Sequence, residues 1–194
     1  MKKILLLLAI VLICTTFVSA QDTKPMTMFA GGGLTMPMGD LGDYTKMGYH
    51  GMGAIGLNLM PVIQAIGKVE YHTMNLDWGD LEDGGGAFKV TMFGVAGRVA
   101  PPMPASKIKI FGLAGAGFAA YKYDSDETFD INDLGSISIS NTSDTENDMY
   151  FEIGGGLEFA AGTNLNLFAM ARFVSVATEG KASTFVPITV GLKF

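Results

Sequence analysis

In the stretch GKVEYHTM, Lys68, Glu70 and His72 stand two residues apart, with Val69 and Tyr71 between them. An ammonium, a carboxylate and an imidazole on one face could move protons, hold an ion, or pair with one another. Five more charged side chains lie inside otherwise apolar segments: Lys89, Glu152, Glu158, Arg172 and Lys193. Nucleophilic catalysis needs a hydroxyl or thiol, a base and an orienting acid within reach of each other. Beyond the first twenty residues the chain offers only two histidines, His50 and His72. No serine or acidic residue stands at a spacing that singles out a dyad. No catalytic residue is assigned, and the eight charged or imidazole groups are read as a paired, hydrogen-bonded set.

Metal chemistry is weighed on two further patterns. The run DSDETFDINDLG (124–135) is rich in oxygen ligands but departs from the EF-hand spacing, so a solvated, self-repelling loop is expected. The methionine pairs Met26/Met28 and Met36/Met38 could be soft copper ligands, but methionine more commonly fills gaps in apolar packing. Neither a metal nor a cofactor is expected.

The segments that must position these groups share one property, alternation. Phe151, Ile153, Gly155, Leu157 and Phe159 fall on one side of a period-two pattern, and Tyr150, Glu152, Gly154, Gly156 and Glu158 on the other. Leu165, Leu167, Ala169, Ala171 and Phe173 face away from Asn164, Asn166, Met170 and Arg172, with Phe168 an apolar member of the polar row. The last ten residues, FVPITVGLKF, place Val186, Ile188, Val190, Leu192 and Phe194 on one side. Eight strands follow, about 26–36, 48–60, 67–76, 87–99, 107–122, 149–160, 164–175 and 184–194. The first and fifth are apolar or glycine on both faces, so their register is not readable from the pattern. Glycine density argues against helix throughout.

Composition says what surrounds such strands. Only 16% of residues are charged while 48% are hydrophobic, and there are 26 glycines. A helical membrane protein needs about 20 apolar residues in succession. Only residues 1–20 approach this, and Lys2 and Lys3, the apolar run from Ile4 to about Cys14, and Val18-Ser19-Ala20 read as a secretory signal peptide. A retained anchor and a lipidated Cys14 are the alternatives. The first has too short an apolar core, and the second has bulky Ile13 where a small residue is wanted. Removing Lys2 and Lys3 from the 13 Lys+Arg leaves 11 against 19 Asp+Glu, a formal charge of −8 that argues against nucleic acid. The domains are then 1–20, signal peptide, and 21–194, barrel.

Hydrocarbon offers no partner to a backbone N–H or C=O, so alternating strands can cross a bilayer only as a closed barrel. Long polar connections after strands one, three, five and seven alternate with short ones, and 15 of the 19 acidic residues lie in the long ones. Bacterial outer-membrane barrels have this asymmetry. Tyr49, Tyr121, Tyr123, Tyr150, Phe173 and Phe185 are expected at one aromatic rim, with Trp78 just beyond it, and Phe159 and Phe194 at the other.

The GGGLTMPMGDLGDY opening, the EIGGGLEF strand and the VPITVGLKF ending resemble the small OmpA/OmpX-like, porin-family outer-membrane barrels over the whole chain after residue 20. The resemblance implies an eight-stranded antiparallel up-and-down transmembrane β-barrel in the cell outer membrane. It also implies that Val190, Leu192 and Phe194 form the signal read by the outer-membrane assembly machinery. Relatives often carry an acidic residue where Met170 stands, so the partner of Arg172 is not expected within its own strand. Lipid, lipopolysaccharide and an extracellular ligand are the partners implied, in a structural or surface-interaction role with the lumen plugged by Lys68, Glu70, His72, Lys89, Glu152, Glu158, Arg172 and Lys193. The alternative is a narrow channel or small-solute-binding barrel. A soluble, lipocalin-like barrel would need the opposite orientation, apolar residues inside, and would be short of solvating charges.

Overall fold

The computed structural model describes residues 26–75, 86–103, 107–131, 135–140, 146–162, 164–178 and 182–194. The expected signal peptide, Trp78 and Glu179 lie outside them. Among the described residues the strands are β1 Met26–Met38, β2 Gly48–Met60, β3 Ile63–Asn75, β4 Gly86–Val99, β5 Ile108–Ile131, β6 Gly135–Ser140, β7 Glu146–Ala160, β8 Asn166–Ala177 and β9 Ala182–Lys193. One short helix, α1, spans Asp40–Tyr44.

Eight of these strands close a ring. Each pairs antiparallel with its neighbours in the order β4-β3-β2-β1-β9-β8-β7-β5, and β4 pairs with β5 to complete the circle. Closure consumes every barrel edge, which is what lipid demands of a sheet. The ladder between β1 and β9 runs from Phe29 opposite Lys193 to Met38 opposite Thr184. Phe194 extends it: Met28 N–H donates to the Phe194 carbonyl at 2.7 Å, and Phe194 N–H to the Met28 carbonyl at 3.0 Å. The final aromatic residue is thus held by the first strand.

The outward row is apolar on every strand. Met28, Leu34, Ile55, Val69, Phe93, Val95, Phe118, Phe151, Ile153, Leu157, Leu167, Ile188 and Val190 are exposed. A band of this kind in a soluble domain would be an association hazard; on a barrel it is the lipid face. The two registers the pattern left open are fixed by pairing. β1 turns Phe29 and Thr35 inward, and β5 turns Phe111, Leu113, Ala119 and Tyr121 inward.

Two segments differ from the expected layout. The stretch 61–66, expected as a connection, is a two-residue turn at Pro61 and Val62, after which β3 begins. The stretch 123–148, expected as a long loop, is mostly strand. β5 runs on to Ile131 and pairs with β6 from Asp126 opposite Ser140 to Ile131 opposite Gly135. Because β6 pairs with β5 alone, this hairpin projects beyond the ring. It lies at the end opposite Met26 and Phe194, the first and last described residues, and α1 sits at that same far end. There Gly39, at φ 59°, takes a backbone conformation that a side chain disfavours, and Leu41 packs over the lumen.

Candidate functional site in the barrel lumen

The lumen is stratified. A polar cluster at the end carrying the termini is followed by an apolar layer of Phe29, Ala54, Ile66, Ala96, Phe111, Leu113, Phe168 and Met170. A charged belt comes next, then a second apolar layer that includes Met74, Phe88, Met92, Tyr121, Tyr150, Val174 and Phe185. Tyr121, Tyr150 and Phe185 were expected at an aromatic rim. All three are buried in this layer, because their parity along the strand is that of the inward row.

The belt is built by three strands. β3 supplies Lys68, Glu70 and His72; β7 supplies Glu152; β8 supplies Arg172. β3 and β8 lie four strands apart around a ring of eight, so bonds between them cross the lumen. Arg172 Nη1 donates to Glu70 Oε1 at 2.5 Å and to Glu152 Oε2 at 3.0 Å, and Nη2 donates to Glu70 Oε2 at 3.0 Å. Lys68 Nζ donates to Glu70 Oε1 at 2.9 Å and Glu152 Oε2 at 2.5 Å. Two cations face two carboxylates, all buried, so the belt closes formally neutral. Glycines on the inward row make the space: a Cβ on Gly115 would lie 2.9 Å from Glu152 Oε1, and one on Gly154 2.7 Å from Arg172 Cγ.

A chain of neutral groups continues from the belt. His72 Nε2 is 3.1 Å from Glu70 Oε2, and Thr35 Oγ1 sits 2.9 Å from His72 Nδ1 and 3.0 Å from His50 Nδ1. His50 Nε2 is 2.8 Å from Thr189 Oγ1, and the imidazoles stack at 4.9 Å. One tautomer assignment serves every contact with both imidazoles neutral. His72 Nε2–H donates to Glu70. The Thr35 hydroxyl then donates to bare His72 Nδ1, His50 Nδ1–H donates to Thr35, and the Thr189 hydroxyl donates to His50 Nε2. The order Thr35–His72–Glu70 has the connectivity of a nucleophile, base and orienter, but Thr35 is fully buried and holds two imidazoles. Among the described residues it lies beneath the apolar layer of Met74, Phe88 and Phe185.

At the termini end, Glu158 accepts from Arg98 Nη2, from Lys193 Nζ at 3.0 and 3.1 Å, and from Asn166 Nδ2 at 2.6 Å. Arg98 was missed in the sequence, and Lys89 was placed in the lumen wrongly. The two stand nine residues apart on β4, so they face opposite ways. Phe88, Val90 and Met92 occupy the inward row of that strand, and Lys89 shares the outward row with Phe93 and Val95. The inward residues belong to an apolar layer, so polarity could not mark their face. Of the assembly residues, Val190, Leu192 and Phe194 all lie exposed on the outer wall. Among the described residues, no group of three or more His, Cys, Asp or Glu side chains converges on a metal position.

The fold is that of the small eight-stranded outer-membrane β-barrels. The solved structures it resembles include Neisserial surface protein A (TM-score 0.61, 13% identity, covering 88% of this chain and 96% of that one). A major outer membrane protein from Thermus thermophilus gives TM-score 0.58 at 10% identity over 88% of this chain and 99% of that one. Ail, the attachment invasion locus protein of Yersinia pestis, gives 0.51 at 16% over 89% and 100%. The sequence matches no family profile and no curated protein.

Proposed function

We propose that this chain is an integral outer-membrane barrel with its termini in the periplasm, whose lumen is sealed and whose role is structural or at the cell surface rather than in catalysis or solute passage. The observation that carries the reading is the belt. Five side chains from three strands are joined across the lumen by bonds of 2.5–3.1 Å, with packed layers on both sides. Two cavities within these layers, among the described residues, are about 30 and 10 Å³, the first room for about one water and the second less. Eight-stranded barrels have interiors that side chains just fill, whereas open porins use about 16–18 strands.

The surface role rests on the projecting β5–β6 hairpin and on the likeness to Ail, whose name records attachment and invasion for that protein. Its partners are outer-membrane lipid and lipopolysaccharide around the barrel, the assembly machinery at Phe194, and an extracellular ligand at the hairpin. Purified protein in planar bilayers tests the seal: no discrete conductance steps are expected, and reproducible single-channel openings would overturn it in favour of a narrow channel. Excision of residues 126–140 tests the surface role, with loss of cell-surface adhesion expected while barrel assembly persists.

A further inference from the structure

A cavity at one mouth of the barrel has no part in the seal. It opens at the termini end with a volume of about 470 Å³, the size of small-ligand sites in general. Two turns wall it, Pro61-Val62 and the segment 100–103 with Pro101 and Pro102, and Ala100 N–H ties them by donating to the Val62 carbonyl at 2.9 Å. Proline-rich, cross-bonded turns make a wall that keeps its shape.

The charges in this cavity do not balance. Arg98, Lys109 and Lys193 line it with one carboxylate, Glu158. Both oxygens of that carboxylate are already engaged by Arg98, Lys193 and Asn166. Arg98 is buried, its guanidinium carbon 4.1 Å from the centre of the Phe111 ring, yet its Nε–H has no partner among the described residues. Lys109, exposed at the cavity rim directly across the β5–β7 ladder from Glu158, forms no ion pair among the described residues. Arg172 Nε in the belt is unpartnered among the described residues too, so the mark of this cavity is its charge: three cations, one of them exposed at the rim, against one carboxylate whose oxygens are already engaged.

We propose that this cavity binds a phosphate-type oxyanion. The formal excess of two positive charges matches a phosphate dianion. Its oxygens, diverging from one centre, can reach donors on β4, β5 and β9 together, which a planar carboxylate does less well. A free phosphate compound in the aqueous compartment offers this dianion; the phosphodiester headgroup of a lipid in the adjacent leaflet offers the same phosphoryl oxygens with one negative charge. The inference does not depend on whether the lumen conducts.

Isothermal titration of the full-length protein in octyl glucoside micelles distinguishes the sources, with sodium pyrophosphate as the free probe and dihexanoylphosphatidylglycerol as the headgroup probe. Saturable binding of at least one is expected, and the one that binds names the source. Lys109→Gln, at an exposed position that leaves the heat-modifiable gel shift intact, weakens it at least about tenfold, the loss expected for one charge-assisted hydrogen bond. Arg98→Gln removes it where the variant still folds. Absence of saturable heat from both probes, or unchanged affinity in Lys109→Gln, overturns the proposal.

Discussion

Replacing Arg172 with Met tests whether the belt is a mutually dependent set. The side chain is 1% exposed and makes three charge-assisted hydrogen bonds, two to Glu70 and one to Glu152. Met keeps much of the volume but leaves two buried carboxylates with Lys68 as their one cation partner among the described residues, beside the His72 hydrogen bond to Glu70. Breaking a buried pair in this way costs about 3–5 kcal/mol, most of it from the uncompensated charge. At a urea m-value of about 2 kcal/mol per M, the unfolding midpoint should fall by about 1.5–2.5 M. The assay is urea titration in detergent, read by the mobility shift of the folded barrel on unheated gels. The same reasoning fixes the sign of a second change. Arg172→Met with Glu152→Gln leaves one cation and one carboxylate, so the double variant should recover about 2 kcal/mol relative to the sum of the singles. Simple additivity, or a single variant as stable as wild type, would refute the idea that charge balance holds the belt.

The remaining predictions use the same titration. Tyr150 is wholly buried and its hydroxyl has no partner among the described residues, so Tyr150→Phe should be neutral or slightly stabilising. A Cβ on Gly94 would meet that hydroxyl, so Gly94→Ala should cost about 1–3 kcal/mol, and Tyr150→Phe should relieve only part of it, because the Cβ would still lie 2.8 Å from the Ala116 carbonyl oxygen and 2.9 Å from the ring Cζ. Ile153, mid-strand on the outer face, should cost about 2–4 kcal/mol when changed to Arg if that face meets hydrocarbon, and little if it meets water. Thr35→Val removes the hydroxyl between the two imidazoles and should cost about 1–3 kcal/mol.

What the sequence disclosed, and what it hid, both follow from the period-two rule. Where one row is charged and the other greasy, as at Lys68, Glu70 and His72 or at Glu152 and Glu158, the inward face is plain, and these groups do lie in the lumen. Met170, Phe168 and Phe29 lie in that same row yet are apolar, since the lumen alternates polar and apolar layers. That layering defeats the rule on β4, where Lys89 was chosen over Arg98. It also misplaced Tyr121, Tyr150 and Phe185, whose nearness to one end suggested a rim although their parity was inward. The partnerships themselves were out of reach, because Glu70 and Arg172 are 102 residues apart and meet only when the ring closes. The hairpin of β5 and β6 was hidden by polar, acidic residues that read equally well as loop.

One orientation underlies everything else: greasy side chains against lipid, charges within. The chain after residue 20 has no cysteine, so single cysteines introduced from 185 to 192 each carry one spin label without background. In liposomes, collision with oxygen should be high at positions 186, 188, 190 and 192 and low at 185, 187, 189 and 191. Reversed parity, or access of a water-soluble nickel reagent to the even positions along the whole strand, would contradict the account.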